Sequence, residues 1–193
     1  MDFRQRLFQY RSYTPIPFLI VMAVFAHPTI LSLIIGLCVV LAGEFLRLWG
    51  VAIAGSETRT TGPVGGTFLI NRGPFSYVRN PLYLGNMLIY TGIGIMSSAL
   101  FPWFTLGALV YFFIQYSLIV SLEEEHLRQK FGDEYKNYYQ SVPRFIPALK
   151  KYSSENHPQP DLDWQCGIVS ERRTLQAIIL LTVLLVVLWQ VRG

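Results

Sequence analysis

Residues 30–54 read ILSLIIGLCVVLAGEFLRLWGVAIA, and this run decides the fold class. It is 25 residues long and carries two charges, Glu44 and Arg47. A bilayer-crossing helix needs about 20 consecutive apolar residues at about 1.5 Å rise each. This run meets that length, and four more apolar stretches flank it: 14–26, 81–100, 103–122 and 174–191. The stretch at 14–26 is the shortest, and His27-Pro28-Thr29 separates it from the run as a turn. The reading is an all-α, polytopic membrane bundle of about five transmembrane helices with a cytosolic amphipathic helix. A signal peptide is the rival reading of residues 1–27. It lacks a small-x-small cleavage site, so a helical hairpin over 14–54 fits better.

Composition agrees. Of 193 residues, 52% are hydrophobic, 15% aromatic and 15% charged, with a mean hydropathy of +0.37. Soluble domains carry roughly 25% charged residues. The balance argues against a soluble domain, a disordered tail and a nucleic-acid-binding module. Two cysteines, Cys38 and Cys166, exclude a disulfide scaffold and a four-cysteine zinc site. Cys38 lies mid-span and reads as an apolar packer. His126 and His157 lack companions at metal-ligand spacing, so no metal is expected.

The few charges are sorted. The connections at 27–29 and 97–102 contain no Lys or Arg. Arg4, Arg6 and Arg11 precede the first stretch; Arg59, Arg72 and Arg79 lie between the second and third. Arg128, Lys130, Lys136, Arg144, Lys150, Lys151, Arg172 and Arg173 lie between the fourth and fifth. Alternating crossings put all these on one side, which the positive-inside rule makes the cytoplasm, with Arg192 outside. The net charge of +4 is then a matter of topology. One domain is expected over 1–193: the hairpin at 14–54, a catalytic core at 72–147, a linker at 152–173 and a last span at 174–191.

Two segments on the basic side hold the polar chemistry. In the first, Gly73-Pro74 reads as a turn and Asn80-Pro81 as a helix start, with Asn80 as N-cap and Pro81 in the first turn. Such a start, beside Arg79, suits a carboxylate or phosphate. The plainer alternative is a capped membrane helix that Arg79 anchors to headgroups. In the second, Glu123, Glu124 and Glu125 stand together at the membrane boundary. Leu127, Phe131, Tyr135 and Tyr138 follow as an apolar stripe, with a bend expected near Gly132. A solvated helix face explains Glu125 better than it explains all three. Together the segments offer an anion site, a carboxylate pair and tyrosines. That set suits a small cofactor with a carboxylate, a ribose diol and a cation. Neither a Gly-x-Gly-x-x-Gly turn after a strand nor a phosphate-binding P-loop is present, so a cofactor would sit on helices and loops. Glu44 and Arg47, three apart on one helix face, can pair; Arg47 snorkelling to the interface is the equal alternative.

The run from Gly73 to Gly85 (GPFSYVRNPLYLG) resembles the Arg-His-Pro-x-Tyr motif of the isoprenylcysteine carboxyl methyltransferase family. Glu123-Glu124, then Phe131-Gly132-Asp133-Glu134-Tyr135, Tyr138 and Val142-Pro143-Arg144, resemble its C-terminal signature. Gly43 to Trp49 is similar to its bacterial branch. The resemblance covers roughly Gly43 to Pro147, and phospholipid N-methyltransferases share both motifs more loosely. It implies an integral-membrane methyltransferase that uses S-adenosylmethionine and methylates a membrane-embedded, lipidated or prenylated acceptor. Arg79, Asn80, Pro81, Tyr83, Gly85, Glu123, Glu124, Tyr135 and Tyr138 are then the expected cofactor-binding residues, and Glu124 and Arg144 the expected catalytic ones. Arg144 would hold an acidic acceptor. Asn80 stands where the family has histidine, and it can cap and hydrogen-bond but not titrate. The segment after Pro147 also departs from the pattern. Competing classes are a phospholipid N-methyltransferase, a sterol-reductase-like NADPH enzyme and a non-enzymatic scaffold. The Glu-Glu pair and the Val-Pro-Arg ending favour the methyltransferase.

Overall fold

The computed structural model describes residues 2–55, 69–153 and 159–192. Arg59, His157 and the middle of the expected linker lie outside them. The described residues form helices and turns without a strand: α1 (Phe3–Tyr10), α2 (Pro15–Val24), α3 (Ile30–Ala54), a 3-10 turn (Gly73–Ser76), α4 (Pro81–Ser97), α5 (Trp103–Ser141) and α6 (Trp164–Arg192). This is an all-helical membrane bundle.

All five apolar stretches are helical, but they do not all have spanning length. Among the described residues, α3, α5 and α6 are long and apolar enough to cross a membrane. The 10 residues of α2 rise about 15 Å, about half a hydrocarbon core. The 17 residues of α4 are stopped by Ser98, whose φ of 51° is left-handed and whose N–H closes on the Gly94 and Ile95 carbonyls. A capping box of Thr29 and Ser32 starts α3.

The centre of the bundle is the antiparallel pair α3–α4. In a bilayer the hydrophobic effect does not press helices together, so small residues that let backbones approach take over. Gly43 faces Gly85 and Gly36 faces Gly92. A Cβ on Gly43 would stand 2.7 Å from the Gly85 carbonyl oxygen, and one on Gly92 2.7 Å from that of Gly36. Helix α6 lies along α3, with Gly167 against Ala52. Helices α2, α5 and α6 also pack on α4. Phe112, Tyr116, Ile119 and Val120 of α5 are fully buried in this core.

Helix α5 runs on past its apolar part to Ser141. It breaks at Gly132, whose φ of 53° and ψ of −124° are non-helical, as the expected bend requires. Helix α6 begins ten residues earlier than the span expected at 174–191. Residues 164–173 therefore belong to the helix rather than to a linker. Asp163 Oδ1 accepts from the Cys166 N–H at 3.0 Å, a capping contact that starts this turn.

One end of the bundle gathers the basic segments. There the Ala148 N–H donates to Tyr77 and that of Tyr152 to Ser76. At the other end, Arg192 Nη1 donates to the Val24 and Ala26 carbonyls.

Candidate functional site

At the basic end, Arg79 stands just before α4 and is 8% exposed at its side chain. Its Nη2 donates to Glu124 Oε1 at 2.9 Å. Its Nη1 donates to the carbonyls of Tyr139 at 2.6 Å and Val142 at 2.5 Å. The guanidinium also lies 4.1 Å from the centre of the Tyr139 ring. The backbone agrees with this docking, since the Arg79 N–H donates to Pro143 at 2.9 Å. Arg144 reaches Glu124 from the other side, donating from Nε to Oε1 at 3.2 Å and from Nη2 to Oε2. Glu124, 5% exposed at its side chain, is thus clamped between two guanidinium groups.

Glu123 turns to a different partner. It accepts from the Tyr83 hydroxyl at 2.7 Å, across from the first turn of α4. Successive helical residues diverge by about 100°, so neighbouring carboxylates face different surroundings. Glu125 points outward to Arg4 of α1, at 2.6 and 3.2 Å. Arg4 also binds Asp2, and that hydrogen bond holds the Asp2 carboxyl below its ordinary range. The three glutamates therefore separate into two interior groups and one surface clasp.

Pro81 occupies the first turn of α4 as expected. Asn80 precedes it but makes no side-chain cap bond; its Nδ2 donates to the Arg144 carbonyl at 3.2 Å. Its amide thus ties the helix start to the segment after α5, in place of the expected cap. Gly85 lies one turn further on, against α3 and not at the polar end. Tyr135 and Tyr138 are buried with Leu69 and Val142 in a small apolar cluster, and the Tyr138 hydroxyl donates to Phe75 at 2.7 Å.

These groups border a cavity of about 700 Å³. Small-molecule sites range over roughly 300–1,000 Å³. Arg79, Asn80, Pro81, Tyr83, Glu123, Glu124, Tyr135 and Tyr138 line it; Gly85 and Arg144 do not. Phe8 and Arg11 close in from α1 and its end. Deeper walls are apolar, from Ile16 and Leu19 of α2, Ile89 and Ile93 of α4, and Ile178 and Leu181 of α6. The expected Glu44–Arg47 pair is present at 3.8 Å, but Arg47 has a nearer carboxylate in Glu171 of α6, at 2.7 Å. Glu171 and Asn86 were not anticipated. Glu171 stands 124 positions from Arg47, and its one sequence signal is a carboxylate abutting the last apolar stretch.

The family model described as phospholipid methyltransferase matches residues 31–134. The chain is 32% identical over 126 residues to a methanethiol S-methyltransferase of Pseudomonas deceptionensis, covering 61% of this chain and 44% of that protein. It is 30% identical over 123 residues to a protein-S-isoprenylcysteine O-methyltransferase of Tribolium castaneum, covering 61% and 42%. It is 31% identical over 111 residues to the cobalt-zinc-cadmium resistance protein CzcN of Cupriavidus metallidurans, covering 57% and 46%. The match thus spans less than half the length of each of these relatives. The family model takes in α3, α4 and most of α5, with Arg79 just before α4 and Glu123 and Glu124 on α5, and the chain belongs to the phospholipid methyltransferase family.

Proposed function

We propose that this chain is an integral-membrane methyltransferase that uses S-adenosylmethionine and methylates a membrane-embedded or lipidated acceptor. The observation that carries the reading is one cavity with a polar end of Arg79, Glu123 and Glu124 and apolar walls from α2, α4 and α6. The residues present fit such a cofactor. Arg79 Nε is buried without a hydrogen-bond partner among the described residues, a donor available to a carboxylate. Glu123 and Glu124 offer acceptors for hydroxyl or amino groups, and the tyrosine faces suit a sulfonium.

When bound, the cofactor supplies an activated methyl group on a positively charged sulfur. An acceptor lone pair would take that methyl as the S–C electron pair returned to the sulfur, with Arg79, Glu123 and Glu124 the residues that would hold the donor. With a carboxylate acceptor the positive charge would be neutralised, and with an amine it would pass to nitrogen; neither case develops an oxyanion, so the protein's main contribution is positioning. Glu124, clamped by Arg79 and Arg144, fixes the segment before α4 and the one after α5 relative to each other. Glu123, oriented by Tyr83 and lining the cavity, is the carboxylate we assign to take a proton from an acceptor that must lose one. The basic residues at this end support a cytoplasmic side for it by the positive-inside rule, and the membrane of this reading is a bacterial inner membrane. An acceptor with an apolar body partitions into the bilayer and reaches the cavity at membrane depth.

The resemblance favours carboxyl O-methylation of a prenylated cysteine, with Arg144 holding the acidic acceptor. One observation favours an amine instead, as in phospholipid N-methylation: Arg144 already has a carboxylate partner in Glu124. The test is transfer of labelled methyl from S-adenosylmethionine to a total lipid extract by the purified protein. Label in an organic-extractable product supports the reading; a protein that binds NADPH and transfers no methyl overturns it.

A further inference from the structure

The segment that follows α5 turns two aliphatic side chains outward. Ile146 is 78% exposed and Leu149 fully exposed. They do not sit on a loose loop, because the backbone on either side of them is pinned. Before them, the Pro143 carbonyl accepts from the Arg79 N–H at 2.9 Å and the Arg144 carbonyl from Asn80 Nδ2 at 3.2 Å. Between and after them, the Ala148 N–H donates to Tyr77 at 2.8 Å and the Tyr152 N–H to Ser76 at 3.0 Å. The fold thus holds both side chains in exposed positions, which costs hydrophobic free energy in water.

Phe145 fixes where this segment stands. Its ring centre lies 5.6 Å from that of Phe113. Phe113 belongs to the apolar part of α5, a helix long and apolar enough to cross a membrane. It is half exposed there, beside the exposed Val110 and Ile114. The exposed face of a spanning helix meets acyl chains. The segment therefore docks on the lipid-facing side of α5, and Ile146 follows at the edge of that contact.

Two cations come next. Lys150 and Lys151 are exposed, and neither makes an ion pair among the described residues. Residues 142–153 contain no Asp or Glu, and their other cation, Arg144, is engaged by Glu124. Aliphatic side chains beside unneutralised ammonium groups match a bilayer surface, with acyl chains below and phosphates above. A protein partner fits less well. Two aliphatic side chains offer far less than the roughly 800 Å² per side of a stable protein interface.

We propose that residues 145–151 are a lipid-docking surface that prefers anionic phospholipid. Ile146 and Leu149 enter the acyl boundary, and Lys150 and Lys151 hold the anionic head groups. The surface is continuous with Arg144, one of the two guanidinium groups on Glu124.

The test places the full chain in phosphatidylcholine vesicles that carry a small, equal fraction of photoactivatable phosphatidylglycerol or photoactivatable phosphatidylcholine. Both probes bear the diazirine on the acyl chain, and labelled peptides are mapped by mass spectrometry. Both lipids should label Val110 and Ile114 equally. On residues 145–151 phosphatidylglycerol should label about fivefold more than phosphatidylcholine, the scale of one basic residue near an anionic surface. Replacing both lysines by Gln should bring that ratio close to one, with the segment still labelled, while replacing both by Arg should keep it. Neither change should move the unfolding midpoint in detergent by more than about 2 °C, as for exposed positions without partners. Equal labelling of 145–151 by the two lipids in the wild type overturns the proposal, as does a ratio that the Gln variant keeps. Labelling of Val110 and Ile114 with none on 145–151, the pattern a protein partner or a second copy covering the segment would give, also overturns it.

Discussion

At the scale of single residues, neighbouring glutamates have opposite tasks. Glu124 is held by two guanidinium groups, Glu123 by a phenol, and Glu125 by Arg4 at the surface. Removing one partner of a buried ion pair costs on the order of 3 kcal/mol, because the other partner is left buried and uncompensated. Glu124→Gln should therefore lower the unfolding temperature and weaken S-adenosylhomocysteine binding by tenfold or more. Glu124→Asp keeps the charge but shortens the reach, so it should weaken binding less. Equal affinity in wild type and both variants, by calorimetry, would remove Glu124 from the site. Tyr83→Phe deletes one hydrogen bond to Glu123, worth about 1 kcal/mol or roughly fivefold in affinity. It should leave the fold intact. The glutamate pair was legible because three carboxylates beside an apolar run contradict the chemistry of a membrane boundary. The partners were less so. The motif that contains Arg79 was readable, but its contact with Glu124 depends on how α4 meets α5, which no local pattern encodes.

At the scale of elements, glycines set where helices meet and where they break. Gly92→Ala puts a Cβ 2.7 Å from the Gly36 carbonyl, a backbone atom that cannot swing aside. The α3–α4 pair must then separate, at a cost of about 1–3 kcal/mol, as overpacking typically exacts. Thermal unfolding in detergent reads this as a lower midpoint. Gly132 is a different case. Nothing lies within 4 Å of its added Cβ, so Gly132→Ala meets no clash and tests backbone strain alone. At a φ of 53° and ψ of −124°, the penalty is about 1–3 kcal/mol. Limited proteolysis should show faster cleavage between 123 and 152, with α3 and α4 still protected. Element type was readable from apolar run and period, and element ends were not. Helix α4 stops at a left-handed serine, and α6 starts inside a charged segment that composition alone marks as linker. The signal for that start was local, in the Asp163 to Cys166 spacing of an N-cap, and was outweighed by the charges that follow.

At the scale of the whole molecule, charge sorting and cavity location describe the same asymmetry. The end with Arg4, Arg79, Arg144 and Lys150 is also the end where the cavity's polar groups lie. Single cysteines placed at Lys150 and at Thr29, in a chain free of Cys38 and Cys166, should react with a membrane-impermeant maleimide from opposite sides, Lys150 from the cytoplasm. Labelling of both from one side contradicts the topology. The bundle class was legible from hydropathy. The contribution of α6 to the cavity was not, since Arg47 and Glu171 are 124 positions apart and each reads locally as a span-edge charge.

The central claim is that the polar end of this cavity is a cofactor site for methyl transfer. Its most direct test is calorimetric titration of the purified protein with S-adenosylhomocysteine and, separately, with NADPH. The account predicts saturable S-adenosylhomocysteine binding that Glu124→Gln weakens at least tenfold, and no heat from NADPH. Binding of NADPH alone, or of neither ligand, contradicts it.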